Sequence, residues 1–303
     1  MTDQPLPVSP PTGQPPQEPF LRRISPVAFA VLSLLAVFLL YQFIAGGVVM
    51  IVARGKFTAE NIGLVRWSTL VGQLLCILVP TILLARARHS NILVFLKVRV
   101  PHPKELVVTV VAVFALQQLA QGYMMAQDAI PLPETVQRLV DLFKQLFEQA
   151  YRTLVTANTP MEFVFVVITV ALVPAVSEEL LFRGLVQSSL EEAAGGLRGA
   201  IIAGVIFGAY HLNPFGFVPL VALGVYFGYI VYRSGNIMLA IAAHFFNNFI
   251  ACTALYLKLD DDFVALAPGG GASTSLVMAN FTLFLLVFVA ASYYFVVITR
   301  PKE

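Results

Sequence analysis

Residues 160–183 read PMEFVFVVITVALVPAVSEELLFR, an apolar run of transmembrane length that ends with two adjacent carboxylates. A helix needs about 20 predominantly apolar residues to cross the hydrocarbon core of a bilayer. A charge at that depth costs about 2.5–3.5 kcal/mol on insertion scales, so charged residues in such runs are informative. The stretch therefore predicts a membrane helix with Glu178 and Glu179 near its end.

The composition of the whole chain also indicates a membrane protein. Of its 303 residues, 58% are hydrophobic and only 12% are charged, whereas soluble domains carry about 25% charged residues. The net charge is only +2, and no basic cluster resembles a surface that follows a phosphate backbone. We therefore expect membrane lipid around the protein, and no nucleic-acid partner.

Seven further apolar stretches have the composition of membrane helices. They are residues 26–52, 68–85, 105–125, 199–212, 217–232, 236–257 and 275–298. The predicted fold is all-α, a polytopic membrane helix bundle of about eight transmembrane helices. Two G-x-x-x-G spacings, Gly204/Gly208 and Gly224/Gly228, predict close backbone packing between the fifth and sixth helices.

Composition divides the chain into five regions. Residues 1–22 form a Pro-rich tail with too little apolar surface to fold, and it is predicted to be disordered. Residues 23–130 hold the N-terminal transmembrane helices, and 159–258 hold the helices with unusual polar residues. Between them, 131–158 has apolar residues at three- and four-residue steps, which predicts an amphipathic surface helix. Residues 259–303 form an outer loop and the last transmembrane helix.

The distribution of Lys and Arg favours one orientation. If the N-terminus is cytosolic, most of the 19 basic residues fall on the inside, and the 86–104 loop contributes the largest group. An even number of helices then places both termini in the cytosol. We therefore predict an integral protein of the cell (inner) membrane with both termini cytosolic.

The two carboxylates cannot face the same partner, because neighbouring residues point about 100° apart on a helix. Glu179 can pair with Arg183 one turn later, which leaves Glu178 free to face a cavity. Pro174 removes a backbone donor four residues before Glu178 and predicts a kink there. In the alternative interpretation, both carboxylates are simply solvated at a helix end.

Two histidines and an amide in other apolar stretches complete the candidate set. His244 and Asn248 are four residues apart and lie on one helical face, with Asn247 turned away. Each of these residues, like His211, could alone be a packing residue. Together with Glu178 they supply one carboxylate, two imidazoles and one carboxamide from three different helices.

Such a set can hydrolyse a peptide bond with activated water. A carboxylate in a partly dry cavity can act as general base, a histidine can orient the water, and further donors can stabilise an oxyanion. This mechanism requires no cofactor. Glu178, His211 and His244 are equally the donor types of a catalytic zinc site. The His-Glu-x-x-His motif that presets two zinc ligands is absent from the sequence, which leaves both mechanisms open.

Three motifs occur in order: Glu178-Glu179-x-x-x-Arg183, Phe207-x-x-x-His211 and His244-x-x-x-Asn248. The interval from Glu178 to His211 equals that from His211 to His244. With this pattern, roughly residues 160–257 resemble the CPBP (Abi) family of membrane proteases, which includes the type II CAAX prenyl endopeptidases and bacterial relatives. The resemblance implies an eight-helix membrane bundle with a catalytic cavity that opens to the cytosol.

The resemblance also implies roles for the motif residues. Glu178 would be the catalytic base, assisted by His211, and His244 and Asn248 would form the oxyanion hole. The implied substrate is a peptide or a membrane protein, and prenylated C-termini are implied by the family alone.

The second carboxylate and its neighbour have implied roles of their own. Glu179 and Arg183 would support the site, and Arg183 could also meet a carboxylate of the substrate.

Two other functions are compatible with the sequence. The chain could be a non-catalytic membrane scaffold or immunity protein, although unneeded carboxylates are costly to keep in lipid. Glu178 and His211 could instead relay protons in a proton-coupled transporter. Transporters often repeat broken helices in two halves, whereas the polar residues here crowd into the second half of the chain. The function that we predict is an intramembrane endopeptidase.

Overall fold

The computed structural model describes residues 20–58, 60–259 and 274–299, and all regular elements in these ranges are helices. A short 3₁₀ turn, Phe20–Arg23, precedes ten helices. These are α1 (Pro26–Ala53), α2 (Ile62–Arg88), α3 (Ile92–Phe95), α4 (Pro103–Asp128), α5 (Glu134–Val155), α6 (Pro160–Ala194), α7 (Gly196–Tyr210), α8 (Phe217–Ser234), α9 (Ile237–Tyr256) and α10 (Thr274–Ile298). The predicted all-α fold is confirmed. The predicted tail, up to residue 19, and most of the predicted outer loop, 260–273, lie outside the described residues.

Seven of the described helices are long and apolar enough to cross a membrane, namely α1, α2, α4, α6, α8, α9 and α10. The remaining predicted span, residues 199–212, corresponds to α7, which is apolar but has only 15 residues. At 1.5 Å per residue it is about 22 Å long, less than the hydrocarbon thickness of about 30 Å. The prediction of a polytopic integral membrane protein is confirmed, with α7 as a short apolar helix that is buried along one face.

The ends of the long helices alternate between two faces. On one face, Arg88 donates to the backbone carbonyls of Leu21 and Ile24 at 2.8 and 2.5 Å. The C-terminal end of α8 lies on the same face as that of α10, because Arg233 donates to the carbonyl of Val296 at 3.1 Å. We call this the termini face, because α1 begins there and α10 ends there.

The other face carries α5, and we call it the opposite face. Arg66, in the first turns of α2, donates to the backbone carbonyls of Leu154, at 2.8 Å, and of Thr156. Lys144, in the middle of α5, pairs with Asp128 at the end of α4. The amphipathic helix predicted between the third and fourth spans is therefore present and lies across the end of the bundle.

Helices α7 and α8 form a hairpin whose backbones touch. A Cβ added to Gly204 would lie 2.4 Å from the backbone nitrogen of Val225, and one added to Gly224 would lie 2.4 Å from the carbonyl oxygen of Gly204. Side chains larger than hydrogen cannot fit at these crossings, so the close packing predicted from the glycine spacing is confirmed. The hairpin fixes the position of the C-terminal end of α7, where Phe207 and Gly208 are buried.

Helix α6 runs through the centre of the molecule and is longer than predicted. The apolar run ends near residue 182, but the helix continues to Ala194, because Arg183, Gln187 and Ser189 are fully buried against neighbouring helices. A hydropathy pattern cannot distinguish such buried polar residues from a helix end in water. Glu178 therefore lies roughly halfway along α6, and the prediction that it lies near the helix end is wrong.

Candidate active site

The backbone of α6 is irregular on both sides of Glu178. The segments Val167–Leu172 and Leu180–Gln187 are π-helical, with wider turns than an α-helix. Pro174 has no N–H and cannot bond the carbonyl of Val170. The Nδ2 of Asn248 donates to that carbonyl at 3.1 Å instead. The proline predicted to disrupt the helix thus creates the acceptor that fixes Asn248.

One cavity of about 300 Å³ brings together the four residues predicted to act in catalysis, Glu178, His211, His244 and Asn248. They come from α6, from the residue after α7, and from α9. The other lining residues are Tyr41, Thr69, Gln73, Leu154, Thr169, Val170, Pro174, Phe207, Leu220, Leu223, Phe227 and Asn247. The sequence prediction that three separate helices contribute to one site agrees with this arrangement.

Glu178 and His211 face each other across a gap. The distance from Glu178 Oε2 to His211 Nε2 is 3.9 Å, and the two side chains are 20% and 30% exposed. This distance is too long for a direct hydrogen bond. The Nδ1 of His211 lies 2.8 Å from the carbonyl of Phe207. Because a carbonyl only accepts, Nδ1 carries a hydrogen, and the Nε2 of the neutral ring is an acceptor directed at Glu178.

Glu179 forms a fully buried cluster beside the cavity. Its Oε1 accepts hydrogen bonds from Arg183 Nη1 at 2.9 Å and from His244 Nδ1 at 2.8 Å. This carboxylate fixes the ring orientation and tautomer of His244, as carboxylates do for histidines in other sites. The contact with Arg183 follows from the i,i+4 spacing. The contact with His244 joins residues that are 65 positions apart in the chain, and no sequence pattern predicts it.

Arg183 is enclosed by other partners. Its Nη2 donates to the carbonyl of Gly224 at 2.9 Å, and its guanidinium lies over the Phe207 ring at 4.4 Å. The side chain is fully buried and does not line the cavity. The implied contact between Arg183 and a substrate carboxylate is therefore not supported by the structure. Arg183 instead balances the charge of Glu179.

Several residues of the cavity wall were not predicted from the sequence. Asn247 was expected to turn away from Asn248, but both line the cavity, and Asn247 Nδ2 donates to Asn248 Oδ1 at 3.2 Å. The cavity covers more than one face of α9, so a rotation of 100° does not remove a residue from it. Gln73 could have been predicted as a cavity residue, because it is a carboxamide within an apolar span.

The zinc alternative is not matched by the arrangement of side chains. Among the described residues, no group of three His, Cys, Asp or Glu side chains could hold a metal ion. The Nδ1 atoms of His211 and His244 are hydrogen-bonded to Phe207 and Glu179, so only their Nε2 atoms could bind a metal. Glu178, His211 and His244 line one cavity, but they do not come together as a group of three metal ligands among the described residues. We therefore derive no step through a metal.

The cavity opens away from the termini face. Between Glu178 and the termini face, residues such as Leu181, Leu185 and Val231 are fully buried and form a solid core. On the other side, the half-buried Thr69 and Leu154 line the cavity towards the opposite face. The prediction of cytosolic termini and the implied cytosolic cavity therefore exclude each other.

Residues 160–250 match the family described as type II CAAX prenyl endopeptidase Rce1-like. The matched segment contains all three motifs, and it confirms the resemblance to the CPBP intramembrane proteases. The match supports a CAAX-type intramembrane protease in general terms, with a protein or peptide as substrate. Comparisons with curated proteins and with solved structures give no match.

Proposed function

We propose that the chain is an intramembrane endopeptidase that hydrolyses a peptide bond with water activated by Glu178. The observation that carries the proposal is the single cavity shared by Glu178, His211, His244 and Asn248. A carboxylate, two imidazoles and a carboxamide are costly to keep inside a membrane bundle without a use. Their meeting at one cavity within the matched segment favours catalysis over a scaffold role.

The attacking water binds between Glu178 and His211. A water molecule spans the 3.9 Å gap by donating one hydrogen bond to Glu178 Oε2 and one to His211 Nε2. Glu178 takes a proton as the water oxygen attacks the scissile carbonyl carbon. His211 holds the second hydrogen and so orients the lone pair of the oxygen. The Phe207 carbonyl keeps the His211 ring in the tautomer that this step needs.

The carbonyl oxygen of the substrate becomes an oxyanion, and His244 and Asn248 stabilise it. Asn248 uses one N–H of its carboxamide on Val170, and its second N–H is available to the substrate. His244 donates through Nε2 when its ring is an imidazolium, with Nδ1–H held by Glu179. Donors positioned for an oxyanion contribute about 2.7–4 kcal/mol each to the transition state in other hydrolases.

The tetrahedral intermediate then collapses. The C–N bond breaks, Glu178 returns its proton to the leaving nitrogen, and the products are an amine and a carboxylic acid that keeps the second hydrogen of the water; transfer of that hydrogen between them gives a carboxylate and an ammonium group. Water is the only co-reactant, so atoms and charges balance without a cofactor. The substrate class is a peptide segment of a membrane-bound protein.

A cleavage assay on the purified protein tests the proposal. The probes are a farnesylated CAAX peptide, the same peptide without its lipid, and a membrane-protein fraction in which new termini are mapped by mass spectrometry. We expect cleavage by the natural chain and loss of cleavage in Glu178→Gln and His211→Ala. Glu162→Gln is the matched control, because Glu162 lies in the same helix, does not line the cavity, and accepts a hydrogen bond from the backbone nitrogen of Asn158 at the helix start.

A chelator distinguishes water activation by Glu178 alone from water activation by a zinc ion. If Glu178 activates water without a metal, EDTA and 1,10-phenanthroline leave the cleavage rate unchanged. Loss of activity on chelation, with recovery on adding zinc, would overturn the mechanism but not the protease assignment. Absence of cleavage with every probe, in protein shown to be folded, would contradict the proposed function.

A further inference from the structure

The route into the cavity is defined by what surrounds Glu178. Towards the termini face, α6 and α8 contribute fully buried side chains, including Leu181, Phe182 and Ile230. Packed interiors leave no path for a peptide. Towards the opposite face, the lining residues Thr69, Leu154 and Leu220 are only half-buried. Within the described residues, the open side of the cavity is therefore the side that carries α5.

Helix α5 lies across this open side. Lys144 pairs with Asp128 at the end of α4, and its ammonium lies 5.6 Å from the centre of the Phe215 ring in the α7–α8 turn. Near the C-terminal end of α5, Arg66 donates to the carbonyl of Leu154, which lines the cavity. The helix thus spans the entrance between two attachments.

The two attachments differ in strength. The Lys144–Asp128 pair is partly exposed, and such surface pairs contribute only about 0–1 kcal/mol. The C-terminal turn is held more firmly, because Arg66 is buried and Val155 packs fully buried beside Val166 and Cys252. Leu146, between the attachments, and Leu139 and Leu142, before Lys144, are each more than half exposed. The helix can therefore lift at Lys144 and turn about its C-terminal end.

We propose that substrate reaches Glu178 only from the opposite face, beneath α5, with Leu154 closing the entrance. The substrate is an extended peptide segment that emerges from the bilayer on that face. It is extended because a helical segment hides its carbonyls in backbone hydrogen bonds and cannot offer one for attack. This inference rests on the proposed function for its substrate, whereas the entrance itself is a property of the fold.

Thiol labelling tests the entrance without any cleavage assay. Three single variants, Thr69→Cys in the cavity, Gln145→Cys on α5 and Leu93→Cys on the termini face, are placed in oriented proteoliposomes and exposed to a membrane-impermeant maleimide. We expect Thr69→Cys to react when Gln145→Cys reacts, and to stay unlabelled when only Leu93→Cys reacts. Labelling of Thr69→Cys together with Leu93→Cys would overturn the proposal.

The native Cys76 and Cys252 provide the background, measured on the natural chain. If removing them harms folding, the variants are made with both retained and the background is subtracted.

A block at Leu154 tests the gate itself. After reaction of Leu154→Cys with a bulky maleimide, we expect cleavage to fall about tenfold or more, since the label fills the entrance. The same label on Gln145→Cys, on the exposed side of α5, should leave cleavage within about twofold. Equal cleavage by both labelled variants would refute the gate while leaving the proposed function intact. Absence of cleavage in the unlabelled natural chain would refute the proposed function, and the labelling pattern would still decide the entrance.

Discussion

Adjacent carboxylates in α6 have opposite environments. Glu178 faces a cavity, and its Oε2 has no hydrogen-bond partner among the described residues. Glu179 is fully buried and accepts from both Arg183 and His244. A buried charge that loses its partner is strongly destabilising, whereas the removal of a charge that has no partner costs no stability. The same substitution should therefore have different effects at the two positions.

We expect Glu178→Gln to abolish cleavage and to leave the thermal stability unchanged or slightly raised. Glu179→Gln removes the charge that balances Arg183, and we expect it to destabilise the fold by about 3–5 kcal/mol. Thermal unfolding in detergent, followed by the cleavage assay on folded protein, measures both effects. Equal losses of stability in the two variants would contradict the environments described for these carboxylates.

Asn248 combines a structural role with a proposed catalytic one, and a double variant separates them. Asn248→Ala leaves the Val170 carbonyl without its donor, which costs about 1–3 kcal/mol, and we expect it to lose cleavage as well. Pro174→Ala supplies a backbone N–H that can bond the same carbonyl. The double variant should therefore regain most of the stability but none of the activity. If stability is not regained, the Asn248–Val170 bond is not the cause of the loss.

The residues of the site could be predicted to different degrees. Glu178, His211, His244 and Asn248 were predictable because polar groups are rare in membrane helices and each stands out from an apolar run. The contact of Glu179 with His244 was not predictable, because it depends on the rotation of α6 against α9. The π-helical turns on either side of Glu178 change that rotation, and no residue pattern in 167–187 predicts these turns.

Helix-level predictions succeeded where one property decides the element. Apolar runs placed the membrane helices, and glycine spacing identified the close approach of α7 and α8. The predictions failed at the end of α6, where buried polar residues such as Gln187, which donates to the Gly228 carbonyl at 2.9 Å, extend the helix. Tertiary packing supplies the hydrogen-bond partners of these polar groups, and these partners cannot be predicted from a single sequence.

The α7–α8 hairpin offers a test at the level of elements. We expect Gly204→Ala to destabilise the protein by about 1–3 kcal/mol, because the new methyl would overlap the backbone of α8. Cleavage should fall as well, since His211 directly follows the last residue of α7. Gly47→Ala is the control, because a Cβ there has no atom within 4 Å. A neutral Gly204→Ala variant would show that the helices are further apart than described.

At the scale of the whole molecule, the basic residues are distributed unequally between the termini face and the opposite face, and this distribution bears on which compartment the cavity entrance faces. Of the described Lys and Arg residues, more lie on the termini face, including Arg86, Arg88 and Lys97 in the segment that joins α2 to α4. Positive loops are retained in the cytosol. We therefore propose that the termini face is cytosolic. The entrance beneath α5 then opens on the far side of the membrane, where the substrate segment would emerge.

Reporter fusions test this orientation. We expect green fluorescent protein fused after Glu303 to fluoresce, and alkaline phosphatase fused in the short turn between α4 and α5 to be active, because the first folds only in the cytosol and the second only outside it. The full chain with a fusion after Glu303 serves as control for insertion in both cases. An active phosphatase after Glu303, together with a green fluorescent protein fusion that does not fluoresce, would place the termini outside.

The cavity would then open to the cytosol, as the family resemblance implies, and the basic residues near α3 would not set the topology. Either outcome leaves the entrance on the α5 side, since its position depends on the packing around Glu178 and not on which compartment it faces.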